Sequence, residues 1–189
     1  MEFENSRWLV IGLGNPILGD DGVGWRVAEE VRRRLRMADD GWRNAEHAAD
    51  SQIPNPKSEI EVDCASLGGL SLMERMIGYA RVVLIDAIST GQHPVGDVRR
   101  FPLQALPDPA AGHSASAHDA TLPIALKLGR AMGARLPREI VVVAVECRSD
   151  YAFGEELTGA VAAAVPVAAD LVVETLSSWR QAQGAALEV

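Results

Sequence analysis

Short apolar runs alternate along the chain with stretches in which apolar residues return every third or fourth position. The first run, Trp8-Leu9-Val10-Ile11, stops at Gly12-Leu13-Gly14 and predicts a buried strand. Asn15-Pro16 marks a turn. From Asp21 the period changes: Val23, Val27, Val31 and Leu35 line one face, with Glu29, Glu30, Arg32, Arg33 and Arg34 on the others. That is an amphipathic helix, with Asp20 or Asp21 as its N-cap. Met37–Ser58 is polar, carries Pro54 and Pro56 and has no sustained period, so it predicts a long mobile loop with a short helix around Glu46. Ile60-Glu61-Val62 follows as a strand and Leu70–Ile77 as a helix. Val82-Val83-Leu84-Ile85 is a continuous, β-branched run, which predicts a central strand buried on both faces and ending at Asp86.

The rest of the chain keeps the alternation. Gly96–Phe101 is a more polar strand suited to a sheet edge. Pro107–Ala117 is irregular and small-residue-rich, a second segment expected to be mobile. A helix is predicted over His118–Met132, a strand over Ile140–Val145, and a last helix over Glu155–Gln181. Leu157, Val161, Val165, Val172, Leu176 and Trp179 face inward on that helix, which Pro166 should kink or split. Buried strands separated by amphipathic helices predict a three-layer α/β/α sandwich with a mostly parallel sheet.

Composition narrows the function classes. With 189 residues, 48% hydrophobic and 23% charged, residues 1–189 suit a single domain with its own core. A net charge of −8 offers no basic face for nucleic acid or for an anionic membrane surface. No stretch is read as the run of about 20 apolar residues that spans a bilayer, so no membrane insertion is expected. Met1–Arg7 is acidic and lacks the basic-then-apolar pattern of a secretory leader, which implies a cytoplasmic protein. Cys64 and Cys147 form no CxxC and read as buried thiols.

In folds of this kind ligands gather at the carboxyl ends of the strands. The polar residues expected there are Asn15, Asp20, Asp21, Asp63, Asp86 and Glu146. Gly12-Leu-Gly-Asn-Pro-Ile17 lacks the third glycine of a dinucleotide fingerprint, and acidic residues at a helix start repel pyrophosphate, so nucleotide binding is excluded. Of Asp20 and Asp21, one can cap the helix while the other points into the cleft. Asp86 ends a central strand, where a carboxylate is costly unless paired or bound to a cation. His118, expected at a helix start, is disfavoured as a cation and keeps a lone pair for a metal or a proton. Two carboxylates and an imidazole suit zinc or nickel with open positions. No G-x-S-x-G nucleophile elbow is present.

Gly12-x-Gly-Asn-x4-Asp-Asp-Gly-x-Gly24, Val83-Leu-Ile-Asp86-Ala-Ile and Ser116-Ala-His118-Asp resemble, in order and setting, the three motifs of the nickel-iron hydrogenase maturation endopeptidases. The resemblance runs from Arg7 to about Leu176. It implies a twisted, phosphorylase/hydrolase-like sheet flanked by helices, forming one maturation-protease domain. It also implies a metal-engaging and catalytic triad, which falls on Asp21, Asp86 and His118. Asp21 stands where the family motif has Asp or Glu. The activity implied is removal of the C-terminal extension from the hydrogenase large-subunit precursor. Nickel is then sensed in the substrate, with zinc or cadmium only as an adventitious occupant. Two other readings start from the same residues. One is a non-catalytic nickel-binding chaperone. The other is a peptidyl-tRNA-hydrolase-like esterase, whose Gly-Leu-Gly-Asn-Pro opening matches but whose Thr-Arg-His-Asn run is missing here.

Overall fold

A computed structural model describes residues 7–43, 60–105, 121–148 and 153–187. Strands β1 (Trp8–Leu13), β2 (Ile60–Ala65), β3 (Arg81–Ile88), β4 (Val98–Pro102) and β5 (Glu139–Glu146) form one sheet in the order β2-β1-β3-β5-β4. The pairs β1–β2, β1–β3 and β3–β5 are parallel, and β4 is antiparallel to β5. Helices α1 (Val23–Arg43), α2 (Gly69–Arg75), α3 (Leu122–Ala131) and α4 (Gly159–Leu187) cover both faces.

The period of two along the strands builds the three layers. Trp8, Val10, Val83, Ile85, Val143 and Val145 join Val23, Val27 and Val31 of α1 and Val161, Val172 and Trp179 of α4 in one core. Their neighbours Leu9, Ile11, Val82, Leu84, Val142 and Ala144 point the other way, onto Leu72 and Met73 of α2 and Ala125 and Leu126 of α3. Each large side chain so buried contributes about 1.5–3 kcal/mol. At the amino end of the sheet, Trp8 packs edge-on against Trp179 at 5.7 Å, and the Arg81 guanidinium lies over both rings while pairing with Glu139 at 3.2 Å.

Several boundaries differ from those read in the sequence. Helix α1 continues through Arg43, where a loop from Met37 was expected. The apolar stripe stops at Leu35, but no proline follows until Pro54, so nothing in the sequence breaks the helix before Arg43. The remainder of that loop, and Pro107–Ala117, lie outside the described residues. Helix α3 starts at Leu122 rather than His118, because Thr121 is extended (ψ 151°) and Pro123 suits only a first turn.

Helix α4 starts at Gly159, not Glu155, and passes through Pro166 unbroken. Ala162, whose carbonyl Pro166 leaves without an intrahelical donor, and Pro166 itself are exposed, so that carbonyl is open to solvent. Residues Gly159–Ala185 are long and apolar enough to cross a membrane by length and composition, contrary to the sequence reading that no stretch qualifies. The apolar stripe is used in the core through Val161, Ala164, Ala168, Ala169, Val172 and Leu176, while Asp170, Glu174 and Arg180 face out.

Candidate active site

The chain leaves β1 to form β2 on one side of it, then returns to form β3 on the other. The gap between the carboxyl ends of β1 and β3 is therefore the topological switch point, where such sheets bind ligands. The glycines of the opening motif let α1 reach it. A Cβ at Gly12 would collide with the Gly24 carbonyl, and one at Gly14, whose φ is +114°, with the Asp21 carbonyl. A Cβ at Gly24 would collide with the Leu13 carbonyl and come within 2.6 Å of the Ile85 carbonyl. Backbone contact along this seam sets the first turn of α1 directly on β1 and on β3 just before Asp86.

The two aspartates of the motif have separate tasks. Asp20 reaches across to the start of α4, where its Oδ1 accepts the Thr158 N–H at 2.7 Å and its Oδ2 the Thr158 hydroxyl at 2.8 Å. It therefore closes the chain at α4 rather than capping α1. Asp21 accepts the Asn15 N–H on Oδ2 at 2.6 Å, and Oδ1 has no hydrogen-bond partner among the described residues. Asp86, half-buried at the end of β3, accepts the N–H of Ala87 on Oδ1 at 2.9 Å and likewise keeps Oδ2 free among the described residues. Burial pushes the Asp86 carboxyl up to about 7 from an ordinary 3.8; the Ala87 N–H opposes this and the nearby negative charge of Asp21 adds to it. Each carboxylate is thus anchored by one oxygen and free on the other, and no cation pairs with Asp86 among the described residues.

The other strand-end polar groups are already satisfied. Asp63 pairs with Arg75 at 2.8 Å. Glu146, only 2% exposed, accepts the Thr90 N–H, the Thr90 hydroxyl and the Gly91 N–H, which hold its carboxyl below the usual range against the effect of burial. Asn15 folds its side chain back onto the Ile17 N–H at 3.2 Å. The sequence reading missed Thr158, although a threonine directly before a helix is an N-cap signal that could have found it.

Cys147 is buried, and burial pushes its thiol up to about 12, while Cys64 is half-buried with its thiol also raised by burial. A thiol so protonated is no nucleophile. Folded protein treated with iodoacetamide at pH 8 should keep Cys147 unmodified until denaturant is added; rapid native-state alkylation would refute this placement.

His118 lies outside the described residues, as do Ser114 and Ser116; α3 begins four positions after His118, counted from Leu122. Among the described residues no three His, Cys, Asp or Glu side chains cluster to hold a metal ion. The Asp21–Asp86 pair supplies two hard oxygen donors, a fit for a divalent cation that needs a third donor from elsewhere. A cleft of about 640 Å³ runs beside the Asp20 side of the loop, lined by Leu18, Asp20, Val95, Phe153 and Thr158. Neither Asp21 nor Asp86 lines it.

A profile of the family described as hydrogenase maturation protease (HycI) matches residues 55–175. The hydrogenase expression/formation protein HupD of Bradyrhizobium diazoefficiens is 23% identical over 176 residues, covering 93% of this chain and 81% of the relative. HupD of Rhizobium leguminosarum bv. viciae is 23% identical over 173 residues, covering 92% and 75%. Among solved structures, the hydrogenase maturating endopeptidase HybD from E. coli superposes with a TM-score of 0.62 at 20% identity, over 91% of this chain and 93% of that one. The NiFe hydrogenase maturation protease HycI from Thermococcus kodakarensis superposes with a TM-score of 0.58 at 21% identity, over 91% and 93%. These structural likenesses establish the α/β fold.

Proposed function

The chain belongs to the hydrogenase maturation protease family, and from that premise we propose that it removes the C-terminal extension of a nickel-loaded large-subunit precursor in the cytoplasm. Asp21, Asp86 and His118 engage the nickel that the substrate carries. The observation that carries this reading is the free oxygen on each of Asp21 and Asp86 at the switch point, with the Asp86 carboxyl raised by burial and by the neighbouring charge of Asp21.

A substrate that brings a divalent cation against the pair supplies the missing charge, and Asp86 then gives up its proton and binds. His118 is the nitrogen donor in this set. Nickel held by these donors would fix the register of the scissile peptide and would supply Lewis-acid polarisation of its carbonyl. A carboxylate oxygen beside it takes the proton of the attacking water and returns it to the amide nitrogen as the C–N bond breaks, releasing the extension with a free amine. Zinc or cadmium at the same donors is an adventitious occupant.

The test is incubation with nickel-loaded precursor, followed by intact-mass measurement. Asp21→Asn and His118→Ala should each slow shortening by about 100-fold or more, with circular dichroism unchanged. Wild-type protein that binds the loaded precursor but never shortens it would instead mark a nickel-binding chaperone.

A further inference from the structure

Helix α3 carries an apolar stripe that the core does not use. Ala125, Leu126 and Gly129 are buried, with Gly129 so close to α2 that a Cβ there would come within 2.8 Å of the Met73 sulfur. Ile124, Leu128 and Met132, spaced by four, are 59%, 47% and 78% exposed. Residues three and four apart on a helix are neighbours, so these side chains form one continuous strip. Leu70 and Ile77, at the two ends of α2 in the same layer, are also exposed. Isolated exposed apolar residues need no explanation, but a continuous strip does.

Charge sets this face apart. Between Thr121 and Arg138 the sequence has Lys127, Arg130, Arg135 and Arg138 and no carboxylate, in a chain of net charge −8. Several arginines elsewhere are tied up, Arg7 and Arg75 with Glu61, Arg34 with Glu30 and Asp170, and Arg81 with Glu139, whereas exposed Arg36, Arg148 and Arg180 stand singly rather than beside an apolar strip. Lys127, Arg130 and Arg135 are exposed and form no ion pair among the described residues. An apolar strip framed by free cations fits a partner surface with apolar knobs and carboxylates.

Position selects that partner. Helix α3 precedes the parallel strand β5, so its amino end lies at the sheet edge that carries Asp21 and Asp86. Its 10 residues extend roughly 15 Å from that edge. A folded protein that presents its metal to the carboxylate pair, and covers the roughly 800 Å² per partner of an ordinary interface, would overlie this helix. We propose that the Ile124–Leu128–Met132 strip with Lys127 and Arg130 is the docking surface for the large-subunit precursor, through an acidic, apolar-studded patch on it. The inference rests on the functional reading above.

Leu128→Glu, and separately Lys127→Glu with Arg130→Glu, are compared with wild type in steady-state cleavage of nickel-loaded precursor, with thermal melts as folding controls. The expected result is a KM raised about tenfold or more and an unchanged kcat. Leu128→Met should behave as wild type, and the charge-reversed variant should lose most of the salt dependence of association. An unchanged KM in both variants, with wild type cleaving normally, overturns the docking surface and leaves the enzyme reading intact. Wild type that binds precursor through α3 without shortening it overturns the enzyme reading and leaves the surface. Sedimentation showing that Leu128→Glu merely dissolves a wild-type dimer, or loss of binding to phosphatidylglycerol vesicles with KM unchanged, overturns the proposal in favour of a second copy or a lipid surface.

Discussion

Asp86→Asn is expected to stabilise the metal-free protein at pH 8 while abolishing processing. In the folded state the Asp86 carboxyl titrates at about 7, against 3.8 ordinarily. The folded form therefore keeps a proton that the unfolded chain releases, and wild-type stability falls as pH rises between those values. Asparagine carries no charge to desolvate. Its advantage should be absent near pH 4, grow towards pH 7 and stay level above it. The rise in pKa sets a ceiling of about 4 kcal/mol, and partial solvent access brings the expected gain to about 2 kcal/mol. Urea denaturation with a chelator present, at pH 4, 6 and 8, measures it. A gain that is equal at all three values would mean that burial of the charge is not the cause. Processing should fall roughly 100-fold or more, because a neutral amide is a poor ligand for a divalent cation. Lost activity with increased stability marks a group kept for function at a cost to the fold.

Gly14→Ala is expected to cost about 3–5 kcal/mol, a large part of the 5–15 kcal/mol that holds an ordinary domain together. Gly14 adopts φ +114°, which side chains with a Cβ rarely adopt, and the added methyl would strike the carbonyl of Asp21. Strain and overlap therefore fall directly on the backbone of Asp21. Gly133 separates the two effects: its φ is +80° but nothing lies within 4 Å of a Cβ there. Gly133→Ala should cost only the strain, about 1 kcal/mol. Equal losses for the two variants, measured by denaturant unfolding, would remove close contact with Asp21 as the reason for the glycine.

These two residues also show what the sequence made legible. Continuous apolar runs at Trp8–Ile11 and Val82–Ile85 identified the central strands because a strand buried on both faces has no polar side to show. The strand-end rule also singled out Asp21 and Asp86, of which the first is near enough for its charge to raise the carboxyl of the second. Contacts between distant parts of the chain had no such signature. Asp20 or Asp21 was expected as a local cap of α1, yet the partner of Asp20 is Thr158, 138 residues away. Glu146 holds the Thr90 loop 56 residues upstream. Pro166 suggested a break, but local preference yielded to the tertiary packing of Val161, Val172 and Trp179 on the sheet. His118 was singled out by its residue type and lies outside the described residues.

In the function proposed above, Asp21, Asp86 and His118 recognise nickel on the substrate. The most direct measurement is the intact mass of large-subunit precursor after incubation with wild-type protein, with nickel present in the precursor or withheld. Neither sample contains metal added to the protease. The expected result is loss of the C-terminal extension from the nickel-loaded precursor alone. Equal shortening of both precursors would contradict nickel recognition and return the Asp21–Asp86 pair to hydrolysis without a metal on the substrate.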